Sequence, residues 1–177
     1  MRTFELTTSA FPQSIGEMRA GDRVYLTGTI YTARDAAHRR IHSDLDRGVE
    51  PFPLRDSIIY YTGPCPGVVG KPITSAGPTT SGRMDIYTPR LLSLGVTATI
   101  GKGPRSNRVR EAALEHSAVY LVATGGAGAL LAQCIKGYEV ICYPELGPEA
   151  VLALNVQRFP LIVADDTNGN SIYVKGL

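Results

Sequence analysis

Three cationic side chains, Arg34, Arg83 and Lys102, each stand just beyond a stretch that reads as a β-strand. Arginine grips a carboxylate through two parallel N–H bonds and lysine acts as a point charge, so three such groups on one edge suit a small dianion. A hydroxyl-rich run lies among them: Ser75-Ala76-Gly77-Pro78-Thr79-Thr80-Ser81-Gly82-Arg83-Met84-Asp85. A helix starting after that loop would offer free N–H groups and a positive dipole end, where Arg83 is disfavoured unless an anion lies between. The plainer alternative is that Thr80 or Ser81 caps the helix. Thr79 is the candidate for proton chemistry. An alcohol is a poor base at neutral pH, and Arg83, four residues on, would have to favour its alkoxide. From the residues alone, a structural hydroxyl is the simpler role.

Other constellations carry less. His38-Arg39-Arg40-Ile41-His42 spaces two imidazoles four apart on a helix, but no glutamate stands by as a base and the arginines repel a cation. Both histidines therefore read as a solvated face. Cys65, Cys134 and Cys142 lack metal-site spacing, so no metal ligand is assigned; small buried hydrophobes are the default, with Cys65, between two prolines in a loop, open to exposure. Gly125-Gly126-Ala127-Gly128 follows a strand and opens a helix. It departs from the dinucleotide fingerprint, and close helix–sheet packing explains it as well as an anion does. Asp165-Asp166 reads as turn chemistry.

The elements that must position these groups alternate. Strands are expected at Thr3 to Thr7, Val24 to Ile30, Ser57 to Tyr61, Val96 to Ile100, Ala118 to Ala123, Glu139 to Tyr143 and Leu161 to Asp166. Ser14 with Glu17 has capping-box spacing for a brief helix stopping at Gly21. Thr32 is expected to cap a helix carrying Ala33, Ala37, Ile41 and Leu45 on one stripe, ended by Gly48. Further helices are expected at Arg83 to Leu94, with a kink or fresh start at Pro89, at Asn107 to His116, from Gly125 to about Lys136, and at Pro148 to Asn155. Gly63-Pro64-Cys65-Pro66-Gly67 reads as a rigid turn, and Asn168-Gly169 as a hairpin turn leading into Ser171 to Val174. This is an α/β pattern, with a parallel sheet in the second half and an antiparallel layer beside it. In such folds ligands sit beyond the carboxyl ends of the strands, where Arg34, Arg83 and Lys102 fall.

The totals agree. The chain of 177 residues, 44% hydrophobic and 19% charged, fits one domain, residues 1–177, with no separating linker. A net charge of +2 does not argue for nucleic acid, and no window of about 18 apolar residues argues for a membrane. Met1-Arg2-Thr3-Phe4-Glu5 lacks the apolar core of a signal peptide, and three cysteines fit a reducing cytoplasm.

Several runs carry a family resemblance: Gly28-Thr29-Ile30-Tyr31-Thr32-Ala33-Arg34-Asp35-Ala36-Ala37-His38, Tyr61-Thr62-Gly63-Pro64, Gly77-Pro78-Thr79-Thr80-Ser81-Gly82-Arg83-Met84-Asp85, Ile100-Gly101-Lys102-Gly103 and Pro144-Glu145-Leu146-Gly147-Pro148-Glu149-Ala150. On them the chain resembles the β subunit, or C-terminal region, of class I iron–sulfur fumarate hydratases and the related L-tartrate dehydratases. The resemblance implies a swivelling β/β/α domain with layered parallel and antiparallel sheets and helices. It implies a hydro-lyase interconverting (S)-malate and fumarate, in which Arg34, Arg83 and Lys102 bind the carboxylates and Thr79 is the base. It also implies a [4Fe-4S] cluster held by a separate α subunit, a dicarboxylate substrate and a higher-order heteromer. Cys65, Pro89 and Pro104 depart from what many relatives are expected to carry, without touching those four positions. An L-tartrate dehydratase β subunit and a non-catalytic carboxylate-binding module are the alternatives.

Overall fold

The computed structural model describes residues 1–174. In chain order the elements are β1 (Thr3–Thr7), α1 (Phe11–Ser14), β2 (Arg23–Thr32), α2 (Asp35–Asp46), β3 (Ile58–Tyr60), β4 (Cys65–Val68), β5 (Lys71–Ser75), α3 (Thr88–Ser93), β6 (Ala98–Gly101), α4 (Asn107–Glu115), β7 (Val119–Val122), α5 (Gly128–Gln133), β8 (Ile135–Cys142) and β9 (Val151–Asp165). Seven strands form one sheet in the order β1-β2-β3-β6-β7-β9-β8, and β9 also pairs with β2. That extra pairing closes a ring through β2, β3, β6, β7 and β9. Within the ring β2, β3, β6 and β7 run parallel, while β9 is antiparallel to both β7 and β2. Parallel and antiparallel pairing thus share one mixed sheet; β4 and β5 form a separate two-stranded ribbon.

Strand alternation fills the ring. Val24, Leu26, Ile30, Ile58, Tyr60, Ala98, Ile100, Val119, Leu121, Leu154, Val156 and Val163 belong to one buried cluster. The intervening residues Ile59 and Tyr61 face outward into a second cluster, where Ala37 and Ile41 of α2, Leu91 and Leu92 of α3 and Ala112 and Ala113 of α4 cover them. Gly28 marks a register shift between β2 and β9, at φ +128°, and a Cβ there would lie 2.3 Å from Thr8 Oγ1. No helix among the described residues is long and apolar enough to cross a membrane.

Several expectations are corrected. The segment from Pro148 is not a helix: a 3₁₀ turn over Pro144–Glu149 leads into β9, a strand of fifteen residues that includes the expected strand from Leu161. Residues 151–156 pair with β8 on one edge and residues 153–156 with β2 on the other, and this enclosure outweighs the start signal of Pro148. The Pro64-Cys65-Pro66 stretch is no simple turn, since Cys65 and Pro66 pair with Ser75 and Ile73. After Asn168-Gly169 the pairing is a lone bridge between Asp165 and Ser171, not a hairpin of two strands. Asp166 does serve the turn, accepting hydrogen bonds from the backbone N–H of Asn168 and Asn170. Ser14 does not cap; its helical turn has already begun at Phe11. Thr32 does not cap either, because its hydroxyl donates to the Ala150 carbonyl and accepts from Leu152 N–H, tying β2 to β9. Cys65 is exposed, as its place between two prolines allowed, while Cys134 and Cys142 are half-buried rather than the fully buried hydrophobes expected.

His38 is the sharpest correction, because it is buried rather than solvated. The inward face of α2 is wider than one stripe and takes in Ala37, His38, Ile41 and Asp44. The imidazole lies against the rings of Tyr61 and Tyr87, with Nδ1 2.8 Å from the Arg34 carbonyl. Burial pushes its pKa down to about 4; His42 and Arg105 act the same way, and the Arg34 carbonyl and Asp35 oppose them. The unfolded chain therefore binds more protons between that value and the ordinary pKa of about 6.5, and stability falls as pH drops. Urea denaturation is expected to show a loss of about 2 kcal/mol from pH 7 to pH 5. The loss should shrink by more than half in His38→Asn; an unchanged slope would contradict this account.

Candidate active site

The site lies beyond the carboxyl ends of the parallel strands. After β2 the chain reaches Arg34, which stands at the N-cap of α2 in extended conformation. After β6 it reaches Lys102. Arg83 comes from a 3₁₀ turn, Ser81–Met84, rather than from the expected long helix; α3 starts afresh with Pro89 in its first turn. Neither Thr80 nor Ser81 caps that turn.

Two groups of residues assemble on this edge. Arg83 donates to Asp35 through Nε (3.1 Å to Oδ1) and Nη2 (2.7 Å to Oδ2), and Arg34 Nη2 lies 4.0 Å from the same carboxylate. The two arginines therefore meet at Asp35. Lys102 and Thr79 form the second group: Lys102 N–H donates to the Thr79 carbonyl at 3.3 Å, and Thr79 N–H donates to the Tyr61 carbonyl at 2.7 Å. The Lys102 side chain is exposed and that of Thr79 partly buried. The loop from Thr79 to Arg83 joins the groups.

The hydroxyl-rich loop is strapped to the strand ends along its length. Tyr60 Oη donates to the Ala76 carbonyl at 2.5 Å, and Thr62 Oγ1 to the Gly77 carbonyl at 2.8 Å. Ser81 N–H donates to the Lys102 carbonyl, while Ser81 Oγ accepts from Lys102 N–H at 3.1 Å. Gly128 lets α5 approach this loop, since a Cβ there would lie 2.4 Å from Ser75 Oγ and 3.0 Å from Gly77 N. Close packing is thus the observed role of that glycine.

Residues not singled out in the sequence hold the site together. Glu149, from the turn before β9, accepts from Ala36 N–H at 2.9 Å and lies 3.6 Å from Arg34 Nη2. A protein carboxylate therefore takes the place at the start of α2 where a bound anion could have gone. Arg105 is a buried cation. Its Nε donates to Asp85 Oδ1 at 2.7 Å, Nη2 to Thr88 Oγ1 at 2.7 Å and Nη1 to Thr99 Oγ1 at 3.0 Å. Its guanidinium lies over the rings of Tyr61 and Tyr120. Burial disfavours the Arg105 charge, but Tyr61 and Asp85 outweigh it and raise the pKa. Asp85 Oδ2 also accepts from Ser106 N–H at 2.7 Å, and Tyr120 Oη lies 2.8 Å from both Ser81 Oγ and the Gly103 carbonyl. The Arg83 turn and the Lys102 loop are thereby clamped to each other. Spacing in the sequence gave no sign of these pairs; the one available signal was that Asp35, Asp85 and Glu149 lie within, and Arg105 close to, the runs that carry the family resemblance.

Among the described residues no three His, Cys, Asp or Glu side chains gather to hold a metal. The cysteines stand on β4, after α5 and at the end of β8, which does not fit a cluster ligated by this chain.

A family model described as Fumarase C-terminus matches residues 1–176. The chain is 43% identical over 154 residues to the anaerobic class I fumarate hydratase of Escherichia coli (strain K12), covering 85% of this chain and 28% of that protein. To fumarate hydratase 2 of Leishmania major it is 41% identical over 169 residues, covering 93% of this chain and 30% of that protein. To a provisionally named L(+)-tartrate dehydratase subunit beta of Methanocaldococcus jannaschii it is 42% identical over 168 residues, covering 91% of this chain and 86% of that protein. The chain thus spans under a third of these fumarate hydratases and most of the tartrate dehydratase subunit.

Because Arg105 has no exposed side-chain surface, removing it leaves Asp85 charged and without its cation. Arg105→Met is expected to cost about 3 to 5 kcal/mol of stability in urea denaturation. A loss below about 1 kcal/mol would mean that the clamp is not structural.

Proposed function

The chain belongs to the Fumarase C-terminus family, and from that premise we propose that it is the β subunit of an iron–sulfur hydro-lyase interconverting (S)-malate and fumarate. The observation that carries this reading is the meeting of Arg34 and Arg83 at Asp35, on the strand-end edge that also carries Lys102 and Thr79. In this reading the chain is a swivelling domain that closes a cationic face over a dicarboxylate. The [4Fe-4S] cluster belongs to a cytoplasmic α partner in a larger heteromer.

The work of this chain follows from charge. Arg34, Arg83 and Lys102 hold the two substrate carboxylates, and the half-exposed Arg83 fork is accessible to one of them. Thr79, as its alkoxide, takes the C3 proton of malate while the C2 hydroxyl leaves as hydroxide, a departure the partner's iron would assist as a Lewis acid. Removing a proton beside a carboxylate builds a second negative charge on it, and fixed cations in a closed site stabilise that charge more than mobile water does. Thr79 is suited to the task by its backbone, which is pinned on one side by β3 and on the other by Lys102. A second reading, the β subunit of an L-tartrate dehydratase, draws support from the match to 86% of such a subunit.

The test is co-expression with the α partner under anaerobic conditions, followed by assay on malate and both tartrates. Arg83→Ala and Lys102→Ala are expected to abolish turnover with the thermal midpoint of the complex unchanged. Thr79→Ala is expected to lower kcat by about 100-fold or more. An active Arg83→Ala complex would remove that residue from the site, and a Thr79→Ala loss under about 10-fold would remove the base assignment.

A further inference from the structure

We infer that Asp35 is a positioning residue: it holds Arg83 by one edge of the guanidinium so that the other edge faces a substrate carboxylate. This rests on the dicarboxylate reading above. A guanidinium can take a carboxylate bidentately along Nε and Nη2 or along Nη1 and Nη2. Asp35 occupies the first edge with both of its oxygens. The second edge has no partner among the described residues, and the Arg83 side chain is 51% exposed.

The position of Asp35 does not depend on Arg83. It is the first residue of a twelve-residue helix whose dipole favours a carboxylate there. Arg83, by contrast, sits on a 3₁₀ turn with long backbone bonds, 3.4 Å from Arg83 N–H to the Thr80 carbonyl and 3.3 Å from Asp85 N–H to the Gly82 carbonyl. A long side chain on such a turn would sample many rotamers, and each would have to be given up on binding. Asp35 removes that freedom beforehand. It also lies between Arg83 and Arg34, which lets two cations stand on one edge with less mutual repulsion.

The opposite possibility is that Asp35 competes with substrate for Arg83, and the two give opposite kinetics. The experiment is a double-mutant cycle in the complex with the α partner, assayed on malate: wild type, Asp35→Ala, Arg83→Lys and the double variant. Asp35→Ala is expected to raise KM about tenfold and to lower kcat as well, because an unfixed guanidinium loses oriented binding of the substrate and part of its hold on the charge that builds in the transition state. Asp35→Asn, which keeps the shape and one acceptor, is expected to raise KM less, and the thermal midpoint should stay constant throughout. In the Arg83→Lys background there is no second edge to orient, so removing Asp35 should change KM by less than about twofold. A lower KM in Asp35→Ala, or equal KM changes in both backgrounds, overturns the inference while wild-type turnover leaves the functional reading standing. A wild-type complex that converts neither malate nor tartrate overturns both.

Discussion

The buried guanidinium of Arg105 is the constraint on which the rest of the site depends. Withdrawing a cation from water costs several kcal/mol, and only close partners offset that cost. Those partners come from separate parts of the chain: Tyr61 after β3, Asp85 after the Arg83 turn, Thr88 in α3 and Thr99 in β6. Satisfying one charge therefore fixes the relative position of all these segments. Arg83 and Lys102 stand two and three residues away from members of this network, and they inherit its rigidity. A loop edge that could have been mobile becomes a template with set spacing.

The closed sheet supplies the second condition. Parallel strands β2, β3, β6 and β7 end on the same side, so whatever follows them is delivered to one edge. Closure by antiparallel β9 fills the interior with apolar side chains and leaves chemistry to the rim. On that rim, two carboxylates, Asp35 and Glu149, accompany the two arginines. Positive charge can then be concentrated without the site repelling itself apart.

Much of this was legible in the sequence, for a definite reason. Arg34 and Lys102 follow strands at short range, and short-range order is what periodicity and turn residues report. Asp35 with Arg83, Ala36 with Glu149 and Asp85 with Arg105 lie 48, 113 and 20 residues apart, and spacing alone cannot pair them. The flanking arginines and the lack of a glutamate argue only against a metal at His38; they do not report that its imidazole packs among aromatic rings as part of the core. β9 is hidden because Pro148 imitates a helix start and because the strand's alternation is broken at the exposed pair Gln157-Arg158, where Arg158 has φ +50°.

The central claim is that this rim is one half of a dicarboxylate site completed by a second polypeptide. A crystal structure of the chain with its cluster-bearing partner and bound (S)-malate tests it most directly. The account predicts malate carboxylates in contact with Arg83 and Lys102 at the interface, with Thr79 Oγ1 beside C3. Malate bound elsewhere, with this rim facing open solvent, would contradict it.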